Sequence, residues 1–374
     1  MRLPTWSVKE IIFGCLVAVV LLIFLEYVRR RQVPWSYLPA EYTPTPLAPE
    51  DAHTVTWLIH MYPPVHNAGA EWMAHAMNQY LVHQAGYRVN VVENEKTVHE
   101  FERVRLIQKD STAVVPAIQH SAVLISHLDM EPNAVATAVA AKRPIILVMH
   151  NDSRKHFLYD YMKICKKNLY LVHNSNWIRE YYSQFSLPSI VVHPPVDWRE
   201  YQVETTREYV TLINLNENKG GQILIDIAKR MPDVKFLGVK GGYDSQILDS
   251  TVQNITYVDN TPYIKEIYAK TDILLVPSRE ESWGRVAIEA MSSGIPVIAA
   301  PTPGLLEACS DAGAATFCRR ADIDAWVREI RRLREDEGYA AQRRVAAAAR
   351  AKELDPEPQL RAMAEWIGRL KWKD

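Results

Sequence analysis

From His53 onward the chain alternates short apolar runs with longer amphipathic stretches, and the alternation falls into two blocks. The first block carries TVTWLIH from Thr54, YRVNVVE from Tyr87, SAVLISH from Ser121, PIILVMH from Pro144, NLYLVHN from Asn168 and SIVVHPP from Ser189. Amphipathic stretches such as Trp72 to Ala85 and Trp177 to Phe185 lie between them. The runs are nearly continuous in Val, Ile and Leu, the pattern of parallel strands covered on both faces. The polar stretch Pro195 to Glu208 has no apolar period, and after it the pattern restarts with YVTLINL, VKFLGV, NITYV, DILLVPS and IPVIAA. Beyond Ala321 the pattern is helical, and Leu360, Met363, Trp366, Ile367 and Leu370 fall on one face of the last segment. The pattern predicts an α/β chain of two Rossmann-like, doubly wound domains, 52–200 and 201–352, joined near Asp197 to Arg207. A terminal helix, 353–374, follows.

Ahead of this lies a different kind of pattern. Ile11 to Leu25 is uninterrupted apolar sequence, and with its flanks the segment 8–28 approaches the roughly 20 residues of a spanning helix. A signal peptide is the competing reading. EYVRRR follows the run where a small-residue cleavage site would be needed, so a single-pass N-terminal membrane anchor is expected. Arg29, Arg30 and Arg31 outweigh Arg2 and Lys9, which orients the bulk of the chain toward the cytosol, with a luminal orientation left open. Residues 29–51, with Pro34, Pro39, Pro44, Pro46 and Pro49, read as a stiff extended linker.

Composition narrows the function. A net charge of -1 argues against a nucleic-acid partner. The four cysteines are scattered without metal-ligand or disulfide spacing, and are expected to be reduced and mostly buried.

Ligands of open α/β sheets bind beyond the carboxyl ends of the strands, so the residues following each apolar run are the ones that can carry chemistry. After the first run, Ala68-Gly69-Ala70 leads into a helix, where small residues let backbone amides approach an anion. An ordinary strand-to-helix turn is the alternative. In LINLNENKGG, Asn214, Asn216 and Asn218 crowd a turn that ends in Lys219-Gly220-Gly221, a cation and free amides suited to a diphosphate. A solvated lysine is the alternative there. In REESWGRVAIEAMSSG, Glu281 and Glu289 on one helix would be about 80° and about 12 Å apart, too far for an acid-base pair. Gly284 instead suggests a helix starting after Glu281, with Glu289 on its second turn and Gly294 at its end. Both acids favouring an early helix turn through its dipole is the alternative. GxGxxG and the P-loop pattern are absent.

Glu281, Ser282, Trp283, Gly284, Glu289, Ala290, Met291, Gly294, Pro296 and Val297 resemble the E-x7-E signature of retaining glycosyltransferases with the GT-B fold, of the family-four (glycosyl transferases group 1) type. YPPVHNAGAEWM, VMHND, HNSNW, VVHPPVDWREY, ENKGG and APTPGLLE support the resemblance in order along the chain. It implies two Rossmann-like domains facing across a cleft: an acceptor domain, a nucleotide-sugar donor domain, and a terminal helix crossing back to the first. It further implies that Glu281 and His150 contact the donor sugar, that Trp283 and Gly284 offer backbone amides to the diphosphate and sugar, and that Glu289 binds the ribose. Lys219 would neutralise the departing diphosphate, with Gly69 against it from the opposite domain. Glu281, His150 and Lys219 are thus the catalytic candidates. His127 and His150 are candidates for acceptor contacts. No metal and no cofactor beyond the nucleotide-diphosphate sugar are implied.

One departure stands out. Where the family carries an Arg five residues before the Lys, this chain has Asn214, which leaves Arg279 or Arg285 to stand in for the second cation. The resemblance implies a hexosyltransferase working with retention, and the expected anchor adds a membrane association that suits an acceptor such as a glycan or lipid-linked sugar. A non-catalytic nucleotide-sugar-binding protein, or a phosphorylase or epimerase on the same fold, stays open beside it.

Overall fold

The computed structural model describes residues 35–94, 99–309 and 313–374. The expected anchor, 8–28, lies outside the described residues, and among those described no helix is long and apolar enough to cross a membrane.

The first block of runs forms β1 (Thr54–Leu58), β2 (Arg88–Glu93), β5 (Val123–His127), β6 (Ile145–Met149), β7 (Leu169–His173) and β8 (Ser189–Val191), with β3 (Glu100–Phe101) and β4 (Val104–Gln108) added at one edge. The order is β3-β4-β2-β1-β5-β6-β7-β8, parallel except for β3 against β4. The second block forms β9 (Tyr209–Ile213), β10 (Phe236–Val239), β11 (Ile255–Val258), β12 (Thr271–Val276), β13 (Val297–Ala299) and β14 (Ala315–Phe317). These pair, all parallel, in the order β11-β10-β9-β12-β13-β14.

Successive strand residues serve opposite faces. Val55 and Trp57 enter one core layer with Met73 and Met77, while Leu58 enters the other with Ile118 and Leu147. Both layers are buried and apolar, which is why the runs read as continuously apolar. In each sheet the chain leaves a central strand in both directions, at β1/β5 and at β9/β12. Diverging connections at such switch points open a crevice at the strands' carboxyl ends, and these ends of the two sheets supply the residues of the cleft.

The last helix, Glu357–Ile367, packs on the first domain: Leu360, Met363 and Ile367 share a core layer with Trp57 and Met73, and the Tyr87 hydroxyl donates to the Ala364 carbonyl at 3.3 Å. The described part of the proline-rich segment is irregular except for a turn at Pro49–Asp51, yet it is not a free spacer. Tyr37 and Leu38 are buried against the first domain, and Arg143 donates to the Thr45 carbonyl at 3.0 Å. These contacts hold the segment against the first domain. Cys165, Cys309 and Cys318 are free and buried.

Candidate active site

A cavity of about 600 Å³ lies between the domains, lined by Asn67, Gly69 and Trp72 from the first, Tyr201 from the connection, and Asn214, Lys219, Ser278, Glu281, Arg285 and Glu289 from the second.

The turn after β9 is built to present Lys219. Gly220 has φ +93°, and a Cβ on Gly221 would lie 2.2 Å from the Leu215 carbonyl oxygen, so the chain folds this tightly only with glycine at both positions. The Asn216 side chain accepts from the Lys219 amide at 2.8 Å and closes the turn. The Lys219 ammonium then meets the Glu281 carboxylate, which also accepts from the Ser278 hydroxyl at 3.0 Å. Burial works against the Lys219 charge, but Glu281 outweighs it and holds the ammonium above its ordinary pKa.

Glu281 precedes the helix Arg285–Met291, which begins after Gly284 at φ +96°. A Cβ on Gly284 would lie 2.4 Å from the Leu305 side chain. Gly284 therefore fixes the helix start, and with it the direction of the helix's leading amides. One turn on, Glu289 accepts from Arg285 Nε at 2.6 Å and from the Tyr268 hydroxyl at 2.8 Å. Arg285 also donates to the Tyr201 hydroxyl at 2.5 Å, while its Nη1 has no partner. A carboxylate held by two donors still has lone pairs for hydroxyls on the cavity side.

Asn214 is consumed by the loop. It takes φ +67°, its Oδ1 accepts from the Asn216 amide and Gln246 Nε2 at 3.2 Å each, and its side chain lies where a Cβ on Gly241 would stand. Of the two arginines expected to stand in for the missing cation, Arg285 lines the cavity. Arg279 points away and pairs with Glu217 at 2.7 Å.

Some expected residues lie elsewhere. His127 and His150, at the carboxyl ends of β5 and β6, are joined Nδ1 to Nε2 at 3.0 Å and do not line the cavity. Burial, then nearby Arg154, pushes the His150 imidazole down to about 4; burial, then His150, drives His127 well below its ordinary value. The Trp283 ring faces away from the cavity and stacks on His193 at 4.0 Å. That contact is part of a bridge between the domains. Glu307 accepts from the Asn176 amide at 2.7 Å, the Trp177 amide at 3.1 Å and His193 Nε2 at 3.0 Å. Across the cavity, Asn67 Nδ2 donates to Asn260 Oδ1 at 2.8 Å.

Sequence reasoning missed Asn67, Tyr201 and Ser278. Ser278 directly follows the DILLVPS strand, so the strand-end rule could have found it. Nothing local marks Asn67 or Tyr201, whose roles come from the meeting of two domains. The arrangement offers an ammonium and helix-start amides for an anion beside carboxylates for hydroxyls, a set that fits a nucleoside-diphosphate sugar.

Residues 201–353 match the family described as Glycosyl transferases group 1. A D-inositol 3-phosphate glycosyltransferase from Mycobacterium sp. (strain KMS) is 32% identical over 142 residues, 34% of this chain and 32% of the relative. That from Salinispora tropica is 40% identical over 75 residues, 20% of this chain and 16% of the relative. The matches thus span about a third or less of these relatives' lengths. In fold, the chain is similar to Anabaena Alr3699/HepE solved with UDP and glucose, with TM-score 0.66, 17% identity and coverage of 84% of this chain and 99% of that one. It is similar also to a sucrose-phosphate synthase from Thermosynechococcus elongatus, with TM-score 0.68, 16% identity and coverage of 85% and 98%.

Proposed function

We propose that this chain, whose residues 201–353 make it a glycosyltransferase of group 1 on a GT-B frame, moves a hexose-type sugar from a nucleoside-diphosphate sugar to an acceptor with retention at the anomeric carbon. The observation that carries the reading is the Lys219–Glu281–Ser278 cluster facing Gly69 across a cavity that Glu289 also lines.

Lys219 and the amides that follow Gly284 take up charge as the diphosphate departs, so that transfer needs no metal at the diphosphate. Glu281 holds Lys219 in place in the free protein and accepts from a sugar hydroxyl once the ammonium turns to phosphate. Glu289, already fixed by Arg285 and Tyr268, accepts from the ribose. Arg285, which lines the same cavity, stands in for the cation that Asn214 does not supply.

The named acceptor of the inositol phosphate relatives does not carry over, because the family match lies over the donor half. A glycan or lipid-linked sugar fits a chain anchored by 8–28 with its catalytic domains in the cytosol. Asn214 favours one second reading, a nucleotide-sugar-binding protein without transferase activity.

Thermal shifts of the full chain with UDP, GDP, ADP and their sugars test the donor, since a specific ligand raises the melting temperature by mass action. At least one nucleotide sugar is expected to stabilise the wild type and to be slowly hydrolysed. Lys219→Ala should slow that hydrolysis about 10²- to 10³-fold. Binding without hydrolysis selects the second reading, and no shift with any nucleotide rejects both.

A further inference from the structure

The first domain holds a second constellation at its own switch point, and we propose that His60, Glu71 and His127 form a binding site for a divalent transition metal of the zinc class. It is separate from the cavity assigned to the donor, which none of the three lines.

His60 follows β1, His127 ends β5, and Glu71 lies in the first turn of the helix Gly69–His83 that leaves β1. β1 and β5 are the neighbours from which the chain departs in opposite directions, so this crevice in the first sheet corresponds to the one Lys219 occupies in the second. Each of the three residues brings one ligand atom to within 4.8 Å of the others. Two ligands of a tetrahedral zinc stand about 3.3 Å apart. His60 Nε2 and Glu71 Oε1, at 3.5 Å, are nearly at that spacing already.

His127 is 0% exposed, yet its Nε2 has no partner. A buried ring nitrogen left unpaired costs free energy unless the site serves a ligand. Its Nδ1 lies 3.0 Å from His150 Nε2; with the proton on Nδ1, this is the outer-shell bond that orients a ligating imidazole, and the opposite nitrogen keeps its lone pair. Two imidazoles and one carboxylate select zinc-class ions over magnesium or calcium, and three protein ligands leave a fourth tetrahedral position for an oxygen ligand.

The test is a cobalt titration of the full chain after chelator treatment. One equivalent of Co²⁺ is expected to develop the intense visible d–d absorption of a four-coordinate site and to be displaced by Zn²⁺. Glu71→Gln and His127→Ala should abolish that absorption. His150→Ala should weaken binding about 10-fold or more through the lost outer-shell bond. Lys219→Ala, altered only in the donor cavity, should titrate as wild type does, so the result is independent of whether the donor assignment holds. If the unmodified chain shows only six-coordinate cobalt, or gains no bound metal, the proposal fails, whatever the folding of the variants.

Discussion

Two glycines near the proposed donor carry opposite constraints, and a methyl group added at each separates them. At Gly284 the backbone is at φ +96° and a Cβ would run into Leu305. Gly284→Ala is therefore expected to lose about 1–3 kcal/mol of stability and to misdirect the helix start. At Gly69 nothing lies within 4 Å of an added Cβ, and the residue opens a helix. Gly69→Ala should leave stability within about 0.5 kcal/mol of wild type while filling part of the cavity, so nucleotide-sugar affinity falls without loss of fold. Denaturant melts and a binding titration on both variants check this, and equal loss of stability would contradict it. Residue identities at the carboxyl ends of strands were largely legible in the sequence: Lys219, Glu281 and Glu289 reach one cavity. Asn214 was legible as a departure but not as a loop former, because its positive φ and its packing on Gly241 arise only once β9 and β10 lie side by side.

At the scale of elements, what could be read depended on how completely each strand is buried. β1, β5, β6 and β7 are buried at every position and appear as unbroken apolar runs. β3 and β14 escaped, being two and three residues long and only partly covered, and β4 carries exposed Arg105 within it. The terminal helix was legible through its period, and its partner follows from size: the first domain offers Trp57, Met73 and Met77 as one uncovered layer that the helix completes. Met363 is 0% exposed in that layer although it lies within a dozen residues of the chain's last position. Met363→Ala should destabilise by about 2–5 kcal/mol, as for any interior methionine, and the loss should appear in the first domain's transition. Hydrogen exchange resolved by segment measures it: faster exchange in β1 and β2 is expected, and faster exchange confined to 357–367 would show that the helix is not part of that core.

Across the whole molecule, the width of the cleft is tied to the charge of Glu307. This carboxylate sits on the second domain and accepts from two amides at the start of the first domain's helix Asn176–Tyr182, while His193 joins it and stacks on Trp283. Burial alone would raise its pKa, but the His193 bond and then the amides outweigh burial and lower it from 4.5 to about 2. A depressed carboxylate contributes stability that is complete above the unfolded value and is lost as pH falls through the folded one. The bridge should therefore weaken between pH 4.5 and 2. His150 and His173, each lowered from 6.5 to about 4, follow the same sign in a higher window: protonation favours the unfolded chain as pH falls from 6.5 to 4. These two histidines belong to the first domain and not to the bridge, so one substitution can separate the windows. Glu307→Gln should lower the melting temperature at neutral pH and flatten its dependence between pH 4.5 and 2, while the slope between 6.5 and 4 stays as in wild type. Small-angle scattering of the same variant at pH 7 should show a larger radius of gyration, because the carboxylate that draws the Asn176 helix to the Trp283 loop has lost its charge. An unchanged low-pH slope would mean that the cleft is held by bonds that do not titrate, such as Asn67–Asn260, Asn174–Ser282 and Trp177–Ser282.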